Sequence, residues 1–447
     1  MQILWTERAL VIAALSLSVP SVSCSNAHGA PVATADAGAS ESATPDAAPD
    51  VVDNGAPSTT YPAPHPPLPT LTNASKGPLL TTPSITLVFF PGDPNLAPLE
   101  AFVTKFVAST YWSGSTHEYG VGPLTYAGAI TLTGQTPPAS TTSAALESWV
   151  ATEIQSGAFG TPNGQTIYTI IFPASTVITQ PSAIGTTLQS CTGFAGYHDN
   201  TPVGATDGGV GAAQQYAFAV IPTCSTAVDD LTFALSHEWV ESATDPFVTA
   251  GSLFSGGPQS AFYNVDADHQ VWSVLAGGEA GDLCVPEGKD VLVTPPDIGN
   301  VVQRTWSNLS AQGSHDPCVP AISGAFFDSA PVLPETVTFT SSLVGNLTTQ
   351  GVTIPVGQSK TLEVDLFSDG DTGGPWQVAA DDVLHAFYGL GSSMKFSWDR
   401  AKGVNGEKLH LTITVTARSI IGNGHAFMIT STLGTRTSVW AGAVVED

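Results

Sequence analysis

Hydrophobic residues recur along this chain in two rhythms, and the change between them falls just beyond residue 320. In the first part, "SITLVFF" (84–90), "TIYTIIF" (166–172) and "QYAFAVIP" (215–222) are short unbroken apolar runs rich in β-branched and aromatic residues. Such runs predict strands buried on both faces. Between them, "LAPLEAFVTKFVAST" and "SAALESWVATEIQSG" carry apolar residues at helical spacing, the second stopped by Gly157. A further helix is predicted around "FALSHEWVESATDP" (233–246), with Thr226 as N-cap and Asp229 and Asp230 in the first turn. Pro246 ends it near Asp245. Strands alternating with helices predict an α/β domain over residues 76–320, with a zincin-like α+β arrangement as the other form. From 323 to 447 the rhythm becomes strict alternation. "KLHLTITVTA" places Leu409, Leu411, Ile413 and Val415 on one face and His410, Thr412 and Thr414 on the other, just after an Asn405-Gly406 turn. That pattern predicts an all-β, immunoglobulin-like sandwich.

The N-terminus follows neither rhythm. "MQILWTERALVIAALSLSVPSVSCSN" has Arg8 before an apolar run from Ala9 to Val19, too short for a stable membrane anchor, and residues 1–24 read as an export signal. Ser21-Val22-Ser23 suits a general signal peptidase. Cys24 directly after it suits the lipidation cysteine of a bacterial lipoprotein, although Ser21 stands where leucine is usual. Residues 25–75 are Ala, Pro, Ser, Thr and Asp with no Lys or Arg, a composition that predicts a flexible tether. Setting Cys24 aside leaves Cys191, Cys224, Cys284 and Cys318, an even set for two disulfides in an oxidising compartment. Three pairings exist, and nearness in sequence favours Cys191–Cys224 and Cys284–Cys318. A formal charge of −26 argues against nucleic acid or anionic lipid as a partner, so a lipid on Cys24 is the one membrane contact expected. Metal cations and uncharged peptide or cell-envelope substrates remain open.

The predicted helix at 233–246 carries the candidate chemistry. His237 and Glu241 lie one turn and about 40° apart, so both can reach a single ion. Val228, Leu231, Leu235 and Trp239 occupy the opposite face. Glu238, Glu241 and Asp245 crowd the end of the helix where the dipole disfavours negative charge. No Lys or Arg occurs between Lys105 and Lys289 to relieve them. A bound cation does so most simply; an acidic helix screened by water is the rival expectation. The pattern is close to the HExxH helix of zinc hydrolases, with Glu241 in place of the second histidine. Mapped that way, His237 and Glu241 are ligands and Glu238 is the general base. Zinc suits the set best, and a carboxylate at the second position leaves Mn or Ca acceptable. A further ligand must come from elsewhere: Asp245 closes the helix, Asp282 is steadied by Cys284, and Glu279 and His269 are also candidates. Two other features are weaker. Asp266 and Asp268 in "VDADH" read as a hairpin turn, and His117-Glu118 reads as loop because Gly120 and Gly122 follow.

"IYTIIFPASTVITQ", "CTGFAGYHD", "AFAVIPTC", "SHEWVESATDPF", "GEAGDLC" and "VVQRTWSN" fall in an order that resembles the Exordium, or phosphate-induced protein, family over roughly residues 80–310. By that resemblance His237, Glu238, Glu241, Asp245, Asp282 and Cys284 occupy marked family positions, as does His198 in the segment after Cys191. His198 has a second reading, as a histidine packed beside a disulfide. The resemblance implies an extracellular role connected with growth or the cell wall, and no particular reaction. Helix geometry adds the expectation of a metal-dependent hydrolase acting on a peptide or amide bond. A non-catalytic envelope protein with a structural ion, or an adhesion role, is the alternative.

Overall fold

The computed structural model describes residues 54–181, 186–204, 213–248, 259–341, 345–420 and 422–446. The expected export signal, Cys24 and the tether up to residue 53 lie outside the described residues.

The apolar runs build one five-stranded sheet. Its strand order is Thr125–Thr131, Ser84–Phe89, Thr166–Phe172, Gln214–Pro222 and Tyr197–Val203. The first four strands run parallel, and Tyr197–Val203 closes the sheet as an antiparallel edge. Helices cover both faces, which is why the central Thr166–Phe172 is buried at every position. Successive side chains divide between the two layers. Ile85, Leu87 and Phe89 meet the helix Leu96–Ala108 and the helix Val228–Thr244, whereas Val88, Tyr168 and Phe172 meet the helix Ser143–Ser156. Trp239 anchors the first layer. Its ring lies 5.3 Å from Phe106 and 5.9 Å from Phe102, and its Nε1 donates to Thr169 Oγ1 at 2.8 Å.

The C-terminal part is a two-sheet sandwich. One sheet runs Phe327–Pro331, Ser359–Ser368, Lys408–Val415, Met394–Trp398. The other runs Glu335–Ser341, Gly345–Thr353, Arg436–Val445, Gly424–Leu433, Trp376–Asp382, Lys402–Gly403. Leu409, Leu411, Ile413 and Val415 are fully buried, as their alternation requires. The sandwich does not stand apart. Trp440 packs edge-on against Trp272 at 5.7 Å, and the Thr437 amide donates to Asp290 Oδ2 at 2.8 Å. The molecule as a whole is β-rich with helices on the first sheet.

Several expectations are corrected. Residues 54–75 are folded, not tether: Leu68 and Leu71 are buried, and Leu71–Thr72 pairs with Asn264–Val265. Composition hides this because an extended, proline-rich segment takes its hydrogen bonds from elsewhere. The Asn405 side chain donates to Ser58 O and Thr60 O and accepts from the Ala63 amide. The N-cap of the Val228–Thr244 helix is Ala227 rather than Thr226, and Ser225 accepts from the Ala227 amide at 3.0 Å. Residues Ala267–His269 and His117–Tyr119 form single 3-10 turns in place of the expected hairpin and loop. Both disulfides pair as favoured, Cys191–Cys224 and Cys284–Cys318, with Cα separations of 5.1 and 5.8 Å. No described helix is long and apolar enough to cross a membrane.

Candidate metal centre

The Val228–Thr244 helix is buried nearly all round, from Leu231 to Thr244, with His237 half-buried. A water-screened acidic helix is therefore excluded. One side rests on the sheet through Leu235 and Trp239. The other is covered by the edge strand and by the stretch 277–284. His198 reaches the helix because it pairs with Ala219, whose neighbours on that face belong to the same layer, while Tyr197 turns to the opposite layer. Residues 277–284 approach closely because they are rich in glycine. A Cβ on Gly281 would stand 2.6 Å from His237 Nδ1 and 2.7 Å from Glu241 Oε1. The stretch is held by Gln303, which donates to Gly281 O at 2.8 Å, by the Trp306 amide on Ala280 O at 2.7 Å, and by Cys284–Cys318.

Glu241 is the hub. Its Oε1 accepts from the amides of Gly281 and Asp282, each at 3.0 Å. Its Oε2 faces His237 Nε2 at 3.0 Å and His198 Nδ1 at 3.7 Å. His237 Nε2 also lies 3.6 Å from Asp282 Oδ1, and His198 Nδ1 lies 3.5 Å from Glu238 Oε2. Beyond His198, its Nε2 stands 3.3 Å from Glu279 Oε1. The donors fall into two groups, His237-Glu241-Asp282 and His198-Glu238-Glu241, whose atoms within each group lie within 4.8 Å of one another. Four donors held tetrahedrally around zinc at about 2.1 Å stand about 3.4 Å apart, so the 3.0 and 3.6 Å separations fit one ion between His237, Glu241 and Asp282.

Charge points the same way. Glu238, Glu241, Asp245, Glu279 and Asp282 are all buried, and among the described residues their only ionic partners are imidazoles. Burial pushes the Asp282 carboxyl well above its ordinary value, and Glu241 beside it adds to the rise. Burial likewise raises Glu279 to about 8 and Asp245 to about 6. Burial alone would lower His237, but Glu241 and Glu238 overcome it and hold the imidazole up near 10. His198 is raised in the same way against burial, chiefly by Glu279. Glu241 moves the other way from Asp282, Glu279 and Asp245: burial would raise it, but His237 and His198 keep it below its usual range. Without a cation, the chain has to protonate part of this cluster.

The expected residues divide clearly. His237, Glu241 and Asp282 converge, and Glu238 sits beside them on the His198 side. Asp245 does not enter either group; its Oδ1 accepts from the Ala261 amide at 2.5 Å and its buried Oδ2 has no hydrogen-bond partner. His269 is elsewhere, paired with Asp266 at 2.8 Å. His198 is in the centre of the cluster, so packing beside a disulfide undervalues it. Its polar neighbours in "GYHDNTPV" blur the alternation that would have assigned it to the helix-facing side.

No protein-family model matches the chain, and no curated protein is similar to it. Among solved structures, domains 4 and 5 of the S-layer protein SbsC are similar at 18% identity, over 26% of this chain and 53% of theirs, with a TM-score of 0.16. The chain thus spans about half of that S-layer fragment (53%). A chimeric titin Z1Z2 is similar at 13% identity, over 22% of this chain and 85% of that one, also with a TM-score of 0.16. Likenesses at those scores bear on neither fold nor function.

Proposed function

We propose that the chain is an exported metal-dependent hydrolase of peptide or amide bonds, with a zincin-like domain related to the Exordium family and a lipid anchor at Cys24. One observation carries the reading: four buried carboxylates, Glu238, Glu241, Glu279 and Asp282, converge around two imidazoles with no Lys or Arg of the described residues among them. Burying such a set without counter-charge costs several kcal/mol per ion, and a divalent cation removes that cost. His237 Nε2, Glu241 Oε2 and Asp282 Oδ1 hold the ion, zinc by the nitrogen and the spacing, with Mn or Ca as the harder options. An ion held there would supply Lewis-acid polarisation of the scissile carbonyl and would acidify water. The two amides on Glu241 Oε1 fix the orientation of its other oxygen. Glu238, the next residue after His237, accepts the proton of the attacking water and delivers it to the leaving amine. The antiparallel edge strand beside the His-Glu helix is in keeping with the zincin-like form, since its His198 faces Glu238. The two disulfides suit an extracellular protein acting on a peptide or cell-envelope substrate.

A second reading, a structural ion in a non-catalytic envelope or adhesion protein, is favoured by one feature. Glu241 and Asp282 are 2% and 4% exposed, and catalytic zinc keeps a position open to substrate. Metal content and hydrolysis of a peptide library separate the two. The hydrolase reading expects Glu238→Gln to keep its metal and lose about 10²–10⁴-fold in turnover, and His237→Ala to lose both. A metal-loaded wild type with no turnover would leave the structural ion. A wild type that takes up no metal would end both readings.

A further inference from the structure

The ion assigned above uses Glu241 Oε2 and leaves unexplained the side of the helix on which His198 faces that same oxygen. There, His198 Nδ1 faces Glu238 Oε2 at 3.5 Å and Glu241 Oε2 at 3.7 Å, a complete three-donor group of its own. Neither donor group contains both imidazoles. His198 is 5% exposed in its side chain, and its far nitrogen, Nε2, stands 3.3 Å from Glu279 Oε1. Both of these atoms are buried without a hydrogen-bond partner. An imidazole with one nitrogen on inner carboxylates and the other turned to an outer acid is oriented as a metal-ligating histidine is. Charge agrees: the donor carboxylates Glu238, Glu241 and Asp282 carry three negative charges when ionised, one more than a single dication neutralises.

We infer that His198, Glu238 and Glu241 form a second divalent-cation site, which rests on the metal-centre reading and shares Glu241 with the first. One nitrogen and two carboxylates suit zinc or manganese. A carboxylate bridging two ions sets them about 3.5–4 Å apart, where their mutual repulsion makes the second the weaker. Occupation also takes the Glu238 carboxylate, so the same side chain cannot then accept a proton. Excess cation therefore inhibits the enzyme, with His198 as the residue that sets its sensitivity.

The test is zinc titration of the full chain after stripping with a chelator, read by calorimetry and by elemental analysis. Wild type is expected to bind two zinc ions, the second about tenfold or more weaker, and to lose peptide hydrolysis as the second fills. His198→Gln is expected to bind one. Asp282→Asn is expected to lose the tight ion, which marks the two sites as separate. A single ion at saturation in the wild type, or two in His198→Gln, would overturn the second site while leaving the first intact. No zinc at all would instead overturn the reading beneath it. The wild-type stoichiometry decides the matter even where a variant folds poorly.

Discussion

Two buried acid clusters lie on either side of the 303–304 dipeptide, and they are neutralised differently. Gln303 faces the candidate centre through Gly281, while Arg304, fully buried, turns to Glu287 and Asp316. Its Nη1 lies 2.6 Å from Glu287 Oε2 and its Nη2 2.5 Å from Asp316 Oδ2, and it also donates to Pro320 O and Asp290 O. Burial raises both carboxyls and the guanidinium opposes the rise. A third solution appears in the sandwich. Asp328 has no ion-pair partner among the described residues, accepts from the Ser329 amide and the Ser438 and Ser431 hydroxyls, and is pushed by burial to about 7. The chain can thus supply an arginine or hydroxyls to a buried acid. Around Glu241 no Lys or Arg among the described residues reaches the acids, and that contrast is why the missing charge is assigned to an ion.

The largest effect should come from breaking the internal pair. Arg304→Met leaves Glu287 and Asp316 buried without counter-charge and should cost about 3–5 kcal/mol, read by denaturant unfolding, with no rescue by added zinc. A loss below 1 kcal/mol would show that the arginine is dispensable and weaken the contrast. Next is withdrawal of the external charge. Chelation should cost about 3 kcal/mol relative to zinc at a hundredfold excess over Kd, seen as a lower Tm in wild type but not in His237→Ala. Identical melting with and without chelator would remove the ion from the comparison.

The smallest effect concerns Asp328 and carries a sign. Its folded pKa is raised above the unfolded value, so its contribution is present below about pH 4 and is lost as pH rises toward 7. Asp328→Asn should abolish that decline and stabilise the protein at pH 8 by about 1–2 kcal/mol, less than the full linkage of about 4 because the amide meets two serine hydroxyls imperfectly. Stability that falls equally with pH in both proteins would refute the assignment.

The sheet and its helices were readable because parallel strands buried on both faces appear as unbroken apolar runs, as at 166–172. The sandwich was readable from the alternation at Leu409–Val415. Of the candidate centre, the helical pair His237 and Glu241 could be placed by spacing alone, and Asp282 through its nearness to Cys284. His198 and Glu279 could not, since their roles depend on a sheet edge and a glycine-lined stretch meeting across the fold. Asp245 was misplaced for a local reason: it terminates the helix with its carboxylate turned to the Ala261 amide, away from both donor groups. The folding of residues 54–63 was hidden because their partners lie near residue 405.

That last contact has a consequence for how the chain is completed. The Ala63 amide bonds to Asn405 across 342 residues, and the amide of Lys408 bonds to Asn54 O. A chain made from its N-terminus must keep residues 54–63 unsealed until Asn405 has emerged, the costly kind of long-range closure. Completion of the last sheet then acts as a latch, and a molecule truncated before Asn405 would leave its opening segment loose and open to proteolysis.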